Sequence, residues 1–148
     1  MGQGEAHLQT PFRTGSGRTG IMQLPVIFDV RGSLTSIEGG RHIPFDIARV
    51  YYLYGVPEGK GRGGHAHREL QQLLIAVSGS ITVVTDNGTS KETHVMNRPD
   101  QGLYIGPWIW RDLTQFSADA ACIVLASQVY DESDYIRDYN QYQNEVSV

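Results

Sequence analysis

From residue 24 onward the chain alternates short β-prone apolar runs with turn residues. LPVIFDV, GSLTSIE and IARVYYLYG come first, and LQQLLIAVSG, SITVVTD, KETHVM, GLYIGPWIWRDL and AACIVLASQVY follow. Runs of this length bounded by Gly, Ser, Asp and Asn read as strands. Asp86, Asn87 and Gly88, between two such runs, are a hairpin signal because Asn and Gly tolerate positive φ. In RVYYLY, strand alternation puts Arg49, Tyr51 and Leu53 on one face and Val50, Tyr52 and Tyr54 on the other, so only one of the two adjacent tyrosines can face an interior. Only residues 131–143, DESDYIRDYNQYQ, have helical spacing, with Tyr135, Ile136, Tyr139 and Tyr142 on one stripe and Ser133 or Asp134 as the cap. Residues 1–20 are polar, glycine-rich and aperiodic, which predicts a flexible tail ahead of a single domain over 21–148. Regularly spaced strands ending in one short helix predict an all-β barrel or jelly roll.

A length of 148 residues supports one compact core. Seventeen glycines exceed the usual ~7%, in keeping with many tight turns. A net charge of -4 argues against nucleic acid or an anionic membrane surface as the main partner, so any phosphate binding has to be local. The single cysteine, Cys122, excludes an internal disulfide, and its apolar neighbours predict a buried thiol. No apolar run approaches the ~20 residues of a membrane span, and the first residues lack the apolar stretch of a secretory signal. The expected location is the cytoplasm.

The densest chemistry lies in residues 59–79, GKGRGGHAHRELQQLLIAVSG. His65 and His67 are two apart on a predicted strand and therefore point to the same face, into whatever cavity that strand lines. His42 and His94 stand in polar contexts and are expected at the surface, and His7 in the tail carries no signal.

Gly59, His65, His67 and Gly79 fall in the register of the first cupin signature, and the segment resembles that superfamily. The acidic position of the signature falls on Gln71 or Gln72, a neutral amide that compensates little of a metal's charge. The second signature places a histidine shortly after a proline. Here Pro107 is followed by Trp108, Ile109, Trp110, Arg111 and Asp112. A fixed cation at Arg111 repels a metal and attracts a phosphate or enolate. The expectation is a cupin-type double-stranded β-helix without a metal.

Residues 28–34, FDVRGSL, and the RGGH of residues 62–65 resemble two motifs of the nucleotide-sugar epimerase and isomerase cupins. RVYYLY, RGGHAH, GLYIGP and VYDESDYIRDYNQY, in that order, resemble the dTDP-4-keto-6-deoxyglucose 3,4-ketoisomerases over residues 24–142. That resemblance implies a dTDP-linked 4-keto-6-deoxyhexose as substrate. It also implies a ketone moved to C3 through an enediol, no redox cofactor, a place in deoxysugar synthesis for surface glycans, and a homodimer. It assigns His65 as the base at C3 and Tyr51 as the proton shuttle, while His67 orients a substrate oxygen or donates to the enolate. Arg31 and Arg62, with flanking glycines such as Gly32, are the implied diphosphate ligands. Arg49 and Arg111 are the further cations of the site, Gln72 bonds the sugar, and Trp108 or Trp110 stacks on the base or sugar. The rival readings are a metal-dependent cupin enzyme, a 3,5-epimerase and a non-catalytic sugar-nucleotide binder.

Overall fold

The computed structural model describes residues 12–147. Its strands are β1 (Thr19–Gln23), β2 (Ile27–Asp29), β3 (Gly32–Leu34), β4 (Arg49–Tyr54), β5 (Arg62–His67), β6 (Gln72–Ser78), β7 (Ile81–Asp86), β8 (Lys91–Met96), β9 (Gln101–Ile105), β10 (Trp110–Thr114), β11 (Ala121–Ala126) and β12 (Tyr135–Ile136), with helix α1 (Tyr139–Val146) after them. Two five-stranded sheets run β1-β9-β6-β11-β4 and β12-β5-β10-β7-β8, and β2 and β3 form a separate hairpin. Leu74 and Val124 of the first sheet meet Val83 and Leu113 of the second in one buried cluster, so the sheets close face to face as a jelly roll. This is the cupin-type all-β barrel that the strand pattern and the resemblance imply. Among the described residues, no helix is long and apolar enough to cross a membrane.

The first sheet is covered on both faces. Leu73, Ile75, Tyr104 and Leu125 point away from the barrel and meet Ile43 and Phe45 of the loop before β4. That double cover explains why QLLIA of β6 is buried throughout while RVYYLY of β4 alternates. On β4, Tyr52 and Tyr54 are exposed and Tyr51 turns inward.

A bulge in β5 positions the histidines. Arg111 faces His65 across the ladder and the next residue, Asp112, faces Gly63, leaving Gly64 as the extra residue. Gly63 and Gly64 have φ of 94° and 71°, a backbone conformation that L side chains rarely adopt. Arg62 and His65 are three apart and would lie on opposite faces of a regular strand. The bulge resets the alternation, so both line the same cavity.

Four sequence expectations are corrected. Part of the segment expected as a tail is structured: β1 begins at Thr19, and Gly15 and Gly17 donate to the Tyr104 hydroxyl and the Pro107 carbonyl at 2.8 and 2.7 Å. Residues 1–11, with His7, lie outside the described residues. The helix expected over 131–143 begins only at Tyr139, capped by Asp138 accepting from the Gln141 amide. Residues 132–134 are a single 3-10 turn capped by Asp131, and Tyr135–Ile136 is a strand paired with β5. Neither Ser133 nor Asp134 caps the helix, and the Asp134 carboxylate is taken up by the Glu69 and Leu70 amides. His42 is buried, its Nδ1 accepting from the Glu38 amide at 2.8 Å. His94 is half-buried beside the Thr85 hydroxyl. Cys122 is buried as expected.

Candidate active site

Between the two sheets lies a cavity of about 530 Å³, a volume suited to a small-molecule ligand. β4 contributes Arg49 and Tyr51, β5 contributes Arg62 and His65, β6 contributes Gln72 and β10 contributes Arg111. Leu53, Leu74, Leu113 and Val124 supply apolar wall. The stretch after β11 completes the cavity with Tyr130, Tyr135 and Arg137. Four arginines therefore line it, and no carboxylate among the described residues does. A second hollow of about 570 Å³ lies on the outer face of the first sheet, with Val26, Ile37, Ile47, Val50 and Ile123 among its walls. Its one titratable neighbour is Asp100, so the chemistry converges on the first cavity.

The two imidazoles meet edge to face, with ring centroids 4.8 Å apart. Burial, reinforced by the Arg111 charge, pulls the His65 pKa down to about 3. His65 is thus a neutral base at physiological pH, and its Nδ1 is buried without a partner. His67 lies behind it, fully buried, and is held neutral by the same two causes. His67 Nδ1 lies 3.1 Å from Asp134 Oδ2, while its Nε2 is buried and unpartnered. A carboxylate accepts only, so Nδ1 carries the hydrogen.

Among the described residues Arg111 is the most buried charge, 2% exposed, and pairs with no carboxylate. Its Nε and Nη2 donate to the Ile109 carbonyl at 3.3 and 3.1 Å, and Nη1 donates to Gln72 Oε1. Burial lowers its pKa to about 10, which leaves it cationic at neutral pH. The Gln72 amide nitrogen donates to the Tyr51 hydroxyl at 3.0 Å. Burial raises the Tyr51 phenol pKa, opposed by Arg111 and the Gln72 bond. The Arg49 guanidinium sits over the Tyr51 and Tyr130 rings at 5.2 and 5.6 Å, with Nε and Nη2 buried and unpartnered.

The cavity thus gathers His65, Tyr51, Arg49, Arg62, Gln72 and Arg111. It does not gather Arg31, Gly32 or Trp110, nor His67, which the strand alternation predicted to face it but which is buried behind His65. Arg31 and Gly32 sit at the tip of the exposed β2–β3 hairpin, where Arg31 is ion-paired with Asp29. Trp110 points to the outside of the second sheet, buried with Ile136 and Tyr142, and its indole donates to Asp112 at 3.1 Å. Strand alternation forces this outcome, because Arg111 next to it faces the cavity. Trp108 packs in the same outer cluster beneath Arg68. The aromatic walls are instead Tyr130 and Tyr135, which the sequence reading missed. Arg137 covers the Tyr135 ring at 4.1 Å and is fixed by Glu132 at 2.8 Å. Their signal lay in the VYDESDYIRDYNQY motif, where the helical spacing hid Tyr135.

As a metal centre the arrangement fits poorly. Among the described residues, no group of three or more His, Cys, Asp or Glu side chains is assembled to hold an ion. The Gln72 carbonyl is already committed to Arg111, whose charge opposes a cation beside the imidazoles.

Known proteins resemble this chain over most of its length. The family model described as FdtA, WxcM-like, C-terminal, matches residues 18–147. The TDP-4-oxo-6-deoxy-α-D-glucose-3,4-oxoisomerase of Aneurinibacillus thermoaerophilus is 40% identical over 127 residues, covering 86% of this chain and 91% of that protein. A 3,4-ketoisomerase structure from Helicobacter canadensis is 41% identical with a TM-score of 0.85, covering 88% of this chain and 98% of that one. A histidine-to-asparagine variant of the 3,4-ketoisomerase QdtA from Thermoanaerobacterium thermosaccharolyticum, solved in complex with TDP-4-keto-6-deoxyglucose, is 40% identical with a TM-score of 0.85 over 87% of this chain and 94% of that one.

Proposed function

Since this chain belongs to the family described as FdtA, WxcM-like, C-terminal, we propose that it is a nucleotide-sugar 3,4-ketoisomerase acting on dTDP-4-keto-6-deoxyglucose. The observation that carries this reading is a neutral, desolvated imidazole, His65, facing Tyr51 and an unpaired Arg111 across one sugar-sized cavity.

His65 takes the C3 proton, and the electron pair of that bond moves into a C3–C4 double bond. The C4 oxygen gains a proton from Tyr51, giving an enediol. Loss of the O3 proton to Tyr51 and transfer of the proton held on His65 to C4 then leave the ketone at C3 and both residues in their starting states. The electrons stay within the substrate, so the reaction is an internal redox exchange without an external oxidant. Arg111 stabilises the oxygen charge that develops during enolisation. His67, fixed by Asp134 and buried behind His65, backs the catalytic imidazole and does not reach the substrate. Arg62 at the mouth and the free edge of Arg49 suit the diphosphate. Arg31 and Gly32 stand outside this set. The product carries a ketone where a deoxysugar pathway can install a 3-amino group. The deciding experiment is incubation with dTDP-4-keto-6-deoxyglucose followed by NMR of the carbonyl position. A shift from C4 to C3 supports the reading, and a ketone left at C4 with hydrogen exchange at C3 and C5 replaces it with epimerisation.

The pH dependence follows from His65. Its acid form gains population only towards pH 3, so kcat/KM should hold steady as pH falls through 6.5, the ordinary histidine value. An acid limb centred between pH 6 and 7 in the measured profile contradicts the assignment. Stability behaves differently. The unfolded chain binds protons at both histidines below about 6.5 and the native protein refuses them, so the unfolded state binds more. Thermal scans should show Tm falling as pH drops from 7 towards 5.

The reading includes a homodimer. Val50, Tyr52 and Tyr54 are 54, 63 and 71% exposed on the outer side of β4, beside the apolar hollow of the first sheet. A face of this kind suits a second copy. Light scattering should give twice the chain mass, and Val50→Glu should halve it.

A further inference from the structure

We propose that Gln72 is a positioning residue that sets the direction of the Tyr51 hydroxyl proton, a role that rests on the proton-shuttle reading of Tyr51. Gln72 is 2% exposed and bridges the two sheets, from β6 to Arg111 on β10 and, within its own sheet, to Tyr51 on β4. Arginine carries five N–H donors and no acceptor. The Arg111 Nη1 contact therefore takes the carbonyl end of the Gln72 amide, and only the NH2 end is left for Tyr51. At 3.0 Å that NH2 donates, so the Tyr51 oxygen accepts and its own hydrogen points elsewhere. Tyr51 lines the cavity with His65, and the free direction is towards the ligand.

Glutamine is required here for its polarity. A carboxylate of the same length satisfies Arg111 equally well but can only accept from Tyr51, which turns the hydroxyl hydrogen away from the substrate. The expected sugar bond of Gln72 gives way to this relay, because both ends of its amide are engaged within the protein.

Gln72→Glu tests the idea, with dTDP-4-keto-6-deoxyglucose as substrate. We expect kcat to fall about 10²-fold while KM barely changes and Tm is kept. Adding Gln72→Glu to Tyr51→Phe should cost nothing beyond Tyr51→Phe alone, because both remove the same proton delivery. A role confined to packing predicts near-normal kcat for the isosteric carboxylate, or losses that add in the double variant, and either result overturns the proposal. If Gln72→Glu does not fold, Gln72→Met carries the test: it fills the space without hydrogen bonds and should lower kcat about tenfold, again without additivity. Full turnover by Gln72→Met, or additivity, rejects it. Absence of conversion by the unaltered protein overturns the ketoisomerase reading itself, whereas conversion with additive losses removes only this inference.

Discussion

His65→Asn should lose conversion by about 10²–10⁴-fold in kcat while still binding dTDP almost as tightly as the unaltered protein. The imidazole lies in the cavity wall between Arg62 and Arg111, but nothing in the geometry makes it a phosphate ligand: it is neutral, and burial together with the Arg111 charge keeps it so. Asparagine offers a hydrogen-bonding amide of similar reach with no titrating nitrogen, so recognition survives and proton abstraction does not. Stopped assays by NMR give the rate, and calorimetry with dTDP gives the affinity. A variant that turns over normally identifies another base. A variant that loses nucleotide binding in parallel makes His65 a ligand-holding residue.

Asp134→Ala should be the most destabilising single change in the site region. The carboxylate is buried and accepts from the Glu69 amide at 2.8 Å, the Leu70 amide at 3.3 Å and His67 Nδ1 at 3.1 Å. Alanine leaves these donors without their acceptor, two of them on the buried residues His67 and Leu70. Breaking a buried charged network of this kind costs about 3–5 kcal/mol. For a chain of this size that corresponds to a fall in Tm of roughly 10 °C. Asp134→Asn separates scaffold from chemistry. Its carbonyl still accepts from a backbone amide, so the fall in Tm is smaller. Its NH2 opposes the Nδ1 hydrogen of His67 and favours the other tautomer, so kcat drops while the fold persists. A Tm for Asp134→Ala within a degree or two of the parent refutes the buried-acceptor account.

Much of this architecture is legible along the chain, and the limits have physical causes. RVYYLY alternates because one side of β4 faces the barrel and the other is open, so the inward set of Arg49, Tyr51 and Leu53 can be read directly. His65 and His67 likewise obey a period of two. Arg62 breaks that period through the Gly63–Gly64 bulge, and it was found by motif rather than by spacing. The assignment of Trp110 failed because alternation alone leaves the facing of a strand open: once Arg111 turns inward, its neighbour must turn out. Arg31 was carried by motif alone, and the single chain holds that hairpin away from its own cavity. Tyr135 escaped notice because a tyrosine at helical spacing also suits a strand that crosses back over β5, and Tyr130 and Arg137 flank that strand outside the helical stripe. Strand pairing overrides a local helical preference there.

The arginine lining of the cavity sets how the protein meets its ligand before any bond changes. The whole molecule carries a charge of -4, which repels anions at long range, yet Arg49, Arg62, Arg111 and Arg137 concentrate the opposite sign inside low-dielectric walls. Field lines from such a cleft are focused through its opening, so a diphosphate diffusing past is drawn in only along that axis. Added electrolyte damps this guidance over about one Debye length, ~8 Å at physiological ionic strength. Encounter with dilute substrate should therefore slow with added salt, while turnover of substrate already enclosed should not.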